Sequence, residues 1–519
     1  VITVDMAYEV AVAHKVCVRP LIRRVIDQET GTESKVALPC GSTREDVCPS
    51  CADKARRLRM QQCAEGWHRT DEPERQPNRD PSFADTGEGE AGSEYSAAAG
   101  DRRVRSTRRR QDAADLPRVP VEDRTVGRTF ESPDGKVYRP SMFLTLTLPS
   151  YGRVKPNGAP LDPARYDYRR AALDALHFPR LVDRFWQNLR RCAGYRVQYF
   201  AAVEPQKRLA PHLHAAVRGA IPRAVIRQVV SATYLQLWWP RFDRPMYVHR
   251  TPVWSGDGYC DPDTGLMLPT WHEALDQLDQ ADDPDDGRSG LGASHVMRFG
   301  RQLDLAGIIA PSEDADRAVR YLTKYLAKSV AGTFAHPGNA DKLDDGDRFD
   351  ADYVAHIDRL HAELRYLPCS EHCANWLRFG VQPKHPGPGL RPGECGSKAH
   401  DREHLGLGGR RVLVSRQWSG KTLREHRGDR AAVVREALLE SGIVAPEIER
   451  LAASVTMPDG TPRYVWTDTL ADPTTYAMVI KGSVVERSIW RAQYEPAKQA
   501  RAAGQSRSAT GSDPDVPDG

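Results

Sequence analysis

Alternation of apolar and polar positions is clearest at 141–149, SMFLTLTLP. Met142, Leu144, Leu146 and Leu148 share one face of a predicted strand there, and Phe143, Thr145 and Thr147 share the other. The period changes over 169–193, where Phe185, Trp186 and Leu189 supply much of an apolar stripe and predict a helix. Strand character returns at 197–205, VQYFAAVEP, and again after the polar turn QKRLA at 211–219, PHLHAAVRG. That last strand sets His212, His214 and Ala216 on one face. A helix over 221–239 ends in Trp238 and Trp239 before Pro240. A strand at 295–305 and a helix at 318–330 follow, with Ser312 as the N-terminal cap of the helix's lead-in turn. Hairpin strands interleaved with helices predict an α+β domain built on an antiparallel sheet.

The rest of the chain divides by composition. Residues 1–70 read as a compact module closed by a helix at 52–66, and 71–127 as a linker in which an acidic stretch runs into the basic DRRVRSTRRRQ. The expected central domain is 128–345, with an irregular insertion at 241–293 whose acidic tip faces solvent. A C-terminal domain at 346–500 carries a Cys/His cluster, an Arg-rich stretch at 408–430, a helix at 431–440 and a hairpin at PDGTPRYVW. Residues 501–519 read as a disordered tail.

Net charge adds little, because 74 basic and 70 acidic residues leave a formal +4. The basic set is 60 Arg and 14 Lys. Arginine suits bidentate phosphate contacts, although Arg-rich codon usage gives the same bias. No run of 18 apolar residues occurs, and Asp5 and Glu9 interrupt the first segment, so neither a membrane span nor a secretory leader is predicted and a cytoplasmic protein is expected. Of ten cysteines, eight cluster in two places, which favours metal over a disulfide scaffold.

The first cluster, Cys17, Cys40, Cys48 and Cys51, has the spacing C-x22-C-x7-C-x2-C, and its CPSC knuckle suits tetrahedral zinc in a ribbon-like module. Cys63 is the alternative fourth ligand, and a redox pair or plain buried thiols at Cys48 and Cys51 is the competing reading. The second cluster, Cys369, Cys373, Cys395 and His400, is spaced C-x3-C-x21-C-x4-H, with His372 and His404 as spare ligands. Arg410, Arg411, Arg416 and Lys421 follow as candidate contacts to duplex phosphates. A solvated surface accounts for the same residues.

His212 and His214 can offer two imidazoles to one divalent ion, and Glu204 on the partner strand adds a carboxylate, leaving positions open for substrate oxygens. Tyr321, Lys324, Tyr325 and Lys328 lie three and four apart, so both tyrosines can face one site. A phenol with a pKa of about 10 is a poor nucleophile, so a metal polarising the scissile phosphate and a nearby ammonium would each favour phosphoryl transfer to tyrosine. An ordinary packed face of Tyr321, Leu322, Tyr325 and Leu326 is the alternative.

In combination, FLTLTLP, PHLH and YLTKY occur in the order of the three motifs of HUH endonucleases. More closely, residues 1–66, 138–239, 295–330 and 369–495 resemble the replication initiators of actinobacterial plasmids and integrative elements. The resemblance implies an HUH endonuclease domain whose central antiparallel sheet is flanked by helices. It implies that Glu204, His212 and His214 hold Mg²⁺ or Mn²⁺, that Tyr321 attacks DNA with help from Lys324, and that Tyr325 is a second candidate nucleophile. The implied activity is rolling-circle initiation: nicking and rejoining of single-stranded or extruded origin DNA through a 5′-phosphotyrosine, with a free 3′-OH left for a host polymerase. The chain lacks a GxxxxGK[ST] motif, so unwinding falls to a host helicase. Oligomeric state is left open. Alternatives are a relaxase or transposase of the same superfamily, or a non-catalytic zinc-containing DNA-binding regulator.

Overall fold

A computed structural model of the chain describes residues 3–69, 72, 115–126, 130–135, 137–280, 293–324, 326–331, 346–408, 411–440, 455–469 and 472–509. It has mixed α+β architecture with antiparallel sheets. Chain contacts define two compact units, one of residues 1–64, 326–328 and 421–519, the other of 65–325 and 329–420.

In the smaller unit, α1 (Val4–Ala13) is capped by the Thr3 hydroxyl, which accepts from the Met6 N–H. Strands β1 (Leu21–Asp27) and β2 (Glu33–Leu38) form a hairpin, and α2 (Pro49–Trp67) begins with proline at its first position. The three-stranded antiparallel sheet is completed by β13 (Tyr464–Asp468), from the far end of the sequence. Ala7, Ala11, Val16 and Val18 pack with Cys48, Cys51, Ala477 and Ile480. The N-terminal residues are thus not an independent 1–70 module, because their sheet and core need residues 464–480.

The larger unit is organised around a six-stranded sheet in the order β11-β4-β6-β5-β12, with β3 (Phe130–Glu131) also paired to β4. The strands are β4 (Val137–Leu146), β5 (Tyr199–Pro205), β6 (Pro211–Arg218), β11 (Leu303–Ala310) and β12 (Val412–Val414), and every pairing is antiparallel. One face carries Met142, Leu144, Leu146, Ala201, Val203, Leu213, Ala215 and Val217 into the main core. Leu181, Phe185, Trp186 and Leu189 of α3 (Tyr168–Cys192) belong to that same core. Asp167 caps α3 by accepting from the Arg170 N–H. The sequence-based expectations for β4, β5, β6 and α3 agree with these elements to within a few residues.

Several expectations need correcting. The helix expected over 221–239 ends early: α4 (Arg223–Ala232) gives way to β7 (Tyr234–Leu237), where Leu235 and Leu237 are buried and Tyr234 and Gln236 are less so, a period of two. The strand expected at 295–305 is two strands in different sheets, β10 (His295–Arg298) on β7 and β11 on β4. Between them Gly300 lies so close to Leu148 that an added Cβ would sit 3.0 Å from the Leu148 carbonyl carbon. The 241–293 insertion holds the β8 (Val253–Trp254) and β9 (Tyr259–Cys260) ribbon and α5 (Trp271–Gln280). Tyr259 and Leu268 bury against Leu377, and Trp271 packs edge-on to Trp376.

The helix expected at 318–330 is α6 (Glu313–Thr323), capped by Ser312 as foreseen but closing at Thr323. There the Thr323 hydroxyl donates to the Val319 carbonyl and the Lys324 N–H to that of Tyr321. The expected 346–500 domain is divided between the two units. Its first part supplies α7 (Gly346–Tyr366) and β12 to the larger unit, and its last part supplies α8 (Leu423–Glu440), β13 and α9 (Pro473–Ala509) to the smaller one. Helix α9 continues to Ala509, through much of the expected tail. Most of the expected linker, 73–114, lies outside the described residues.

Candidate active site

The site is built on the sheet face opposite the main core. Strands β5 and β6 are joined by a five-residue turn and pair so that Glu204 stands directly across from His212. His214 lies two positions along β6, so the three side chains emerge on one face. On its other side β6 pairs with β4, which puts Thr145 opposite His214. Helix α6 contributes Tyr321 above them, edge-on to both His214 and Phe143.

One donor atom from each of Glu204, His212 and His214 lies within 4.8 Å of the others. The two histidine Nε2 atoms are 2.6 Å apart, and His214 Nε2 is 4.0 Å from a Glu204 carboxylate oxygen. The Thr145 hydroxyl bonds His214 Nδ1 at 3.0 Å, which turns the Nε2 edge toward His212. The Tyr321 hydroxyl reaches that same Nε2 at 3.3 Å, while the tyrosine stays 45% exposed.

Burial lowers His212 to about 3 and His214 to about 4, so both rings are neutral near pH 7 and keep the lone pairs that a metal needs. Burial raises Glu204 to about 7, opposed by the positive charges of Arg411 and Lys324. Among the described residues Glu204 Oε1 has no hydrogen-bond partner and is shielded from solvent. A buried carboxylate oxygen left in that state is costly, and a divalent cation among these three donors would satisfy it. The donor set therefore fits a two-His, one-carboxylate centre with positions left for other oxygens.

The expected residues fare differently. Glu204, His212, His214 and Tyr321 come together as the sequence suggested. Lys324 is the C-cap of α6 and lies close enough to act electrostatically on Glu204. Helix α6 closes at Thr323, and Tyr325, expected to share a face with Tyr321, lies outside the described residues. Arg411, expected to touch duplex phosphates, is instead 8% exposed, just ahead of β12, where its Nε donates to the Val203 carbonyl. Arg416 and Lys421 are exposed, with Lys421 paired to Asp429 at 2.8 Å, and Arg410 lies outside the described residues. Thr145 was not foreseen as a site residue. Its place on the polar face of the 141–149 alternation, in line with a histidine strand, was the available signal.

Both cysteine groups converge. Donor atoms of Cys17, Cys40, Cys48 and Cys51 lie within 4.8 Å of one another, and so do those of Cys369, Cys373, Cys395 and His400. Cys48 and Cys51 flank the N-terminus of α2, which favours thiolates. Burial pushes the Cys48 thiol up, but hydrogen bonds from Ser50 and the backbone outweigh it and bring the thiol down to about 6. Cys63, the alternative ligand, is buried further along α2 and outside the group. In the second group His400 Nδ1 bonds the Leu364 carbonyl at 2.7 Å, which leaves Nε2, 3.5 Å from the Cys373 sulfur, as the donor. His372 and His404 stand outside it, His372 bonding the Lys384 carbonyl at 2.8 Å. None of the cysteines in the two groups is in a disulfide, and both donor sets are able to hold zinc.

A family model described as the replication initiator protein of pSAM2, RepSA, matches residues 3–472. A curated replication initiator protein from Streptomyces ambofaciens is 37% identical over an aligned 111 residues, covering 15% of this chain and 24% of the relative. The chain thus spans about a quarter of that relative's length. No solved structure matches. Among the described residues no helix is long and apolar enough to cross a membrane.

Proposed function

The chain belongs to the RepSA family of replication initiator proteins, and on that premise we propose that it initiates rolling-circle replication by nicking and rejoining origin DNA in an HUH-type site. The observation that carries this reading is the partly exposed Tyr321 hydroxyl, 3.3 Å from His214 above the convergent Glu204, His212 and His214. These three residues would hold Mg²⁺ or Mn²⁺, which when bound supplies polarisation of the scissile phosphate. Tyr321 forms the new P–O bond to the 5′ side of the nick while the bond to the 3′ oxygen breaks. The phenolic proton leaves and the departing oxygen is protonated, giving a 5′-phosphotyrosine and a free 3′-OH. Lys324 supplies positive charge beside the developing phosphorane. Attack of a DNA 3′-OH on the phosphotyrosine reverses the step and reseals a strand, so the phosphoester energy is conserved. The cysteine groups hold structural zinc, and a host polymerase and helicase extend and unwind the origin.

The test is incubation of the protein with tiled single-stranded origin oligonucleotides and Mn²⁺, read by denaturing gel and peptide mass spectrometry. An adduct on Tyr321 is expected. An adduct on Tyr325 transfers the nucleophile's role to that residue, and no adduct across the library, with zinc and duplex binding intact, favours the zinc-containing regulator.

A further inference from the structure

Phe143 is out of keeping with its strand face. It shares the site face of β4 with Thr145 and Thr147, yet it is a large apolar ring, half-buried and outside the main core. Its neighbours across the sheet are small, Ala306 on β11 and Ala216 on β6, so the ring stands above them toward α6. There it meets Tyr321 edge-on, with centroids 6.0 Å apart and 71° between the planes. It also lies against His214 at 5.7 Å and 32°, and His214 meets Tyr321 edge-on at 5.0 Å and 83°. The three rings thus form a closed triangle at separations suited to aromatic pairs.

A phenol at this place needs support of that kind. Helix α6 is anchored through Ala315, Val319 and Leu322, whereas Tyr321 is nearly half exposed and turns on two bonds of its own. Its hydroxyl contact to His214 Nε2 is given up when the oxygen bonds to phosphorus. The ring contacts do not involve the oxygen and so persist through the step. We propose that Phe143 is a positioning residue for the nucleophile: from β4 its ring holds the Tyr321 ring over the site while the hydroxyl passes from His214 to the scissile phosphate. The inference rests on the reading of Tyr321 as the nucleophile. Phe143 has no group that reacts and acts through Tyr321, so its effect belongs on the rate of attack rather than on the binding of DNA or cation.

The experiment uses the full chain as wild type, Phe143→Leu, Phe143→Tyr and Tyr321→Phe. Single-turnover adduct formation is followed with Mn²⁺ and the origin oligonucleotide that gives adduct, alongside oligonucleotide affinity, Mn²⁺ affinity and melting temperature. Phe143→Leu should slow attack about tenfold at saturating oligonucleotide, with both affinities within about twofold of wild type. Phe143→Tyr keeps the ring and should stay within about threefold. A second readout needs no DNA: with a ring-fluorinated tyrosine at Tyr321, its fluorine resonance should move toward that of the free amino acid in Phe143→Leu and not in Phe143→Tyr. A wild-type rate or an unmoved resonance in Phe143→Leu overturns the proposal. So do equal losses in the Leu and Tyr variants, or a loss that appears wholly as weaker oligonucleotide binding. Undiminished adduct in Tyr321→Phe instead breaks the underlying nucleophile reading, whatever the resonance shows. Should Phe143→Leu melt too low to assay, Phe143→Met, which fills the space with an unbranched chain, is judged by the same criteria.

Discussion

The larger unit holds two convergent donor groups that are built in opposite ways. Glu204, His212 and His214 are aligned by the register of a hairpin inside a sheet, whereas Cys369, Cys373, Cys395 and His400 are gathered from loops and short 3-10 turns. The first has three donors, an exposed tyrosine at its edge and a carboxylate oxygen that finds no hydrogen bond among the described residues. The second has four donors, three of them sulfur, and a histidine locked by the Leu364 carbonyl. A filled tetrahedral set of soft ligands stabilises a fold, while a three-ligand set with open positions leaves room for substrate. The lesson is that rigidity comes from different sources: backbone pairing can fix ligands that must stay accessible, and loops need the metal itself to fix them.

Four perturbations would break or sharpen that contrast. The largest effect is expected for Tyr321→Phe, which should cut phosphotyrosyl adduct by about a thousandfold or more while melting temperature and metal content stay at wild-type values. Retained adduct would remove Tyr321 from the open centre. Next, Cys373→Ser should lose one equivalent of zinc by elemental analysis and on the order of 3 kcal/mol of stability in urea, because the loops lose their organiser. Unchanged zinc stoichiometry would contradict the closed-site assignment. Third, Thr145→Val removes the hydroxyl that orients His214 and should weaken Mn²⁺ binding by roughly 10- to 100-fold, leaving zinc untouched. Equal Mn²⁺ isotherms for the two proteins would leave Thr145 with packing alone.

The smallest effect concerns pH. Burial lowers His356 of α7 to about 4, and its ring bonds the Tyr168 hydroxyl at 3.0 Å. The unfolded chain, with histidine near its ordinary value of about 6.5, binds this proton more readily. Stability from a neutral His356 is therefore complete above that value and is lost as pH falls through about 4, on the order of 2 kcal/mol. Urea unfolding between pH 7 and pH 4 should show the decline, and His356→Gln should flatten it. A variant with the wild-type slope would assign the pH dependence to other groups.

What could be read from the sequence followed from local rules. The alternation at 141–149 and 211–219 gave the core face and the site face together, because a strand's period of two assigns every side chain to one or the other. Ser312 marked the start of α6 for an equally local reason, a side chain bonding an N–H three residues on. Long-range decisions were not legible. Residues 234–237 look like the continuation of a helix until β10 offers them a partner some sixty residues later. Arg411 sits among exposed basic residues, and only its pairing beside Val203, 208 positions away, makes it a buried charge. The division of 346–500 between two units was invisible for the same reason: β12 and β13 each complete a sheet begun much earlier in the chain.

The hairpin of β5 and β6 also bears on the order in which the protein assembles. All three donors lie within residues 199–218, so bringing them together closes only a short loop, which in isolated chains takes microseconds. The facing tyrosine is 107 positions from His214 and needs β11 and α6 in place before it can approach. During synthesis the cradle emerges from the ribosome well ahead of the hydroxyl that will face it. On the proposed reading, a chain interrupted between them would hold the three donors but lack Tyr321, so the nucleophile would arrive last, once the domain has closed.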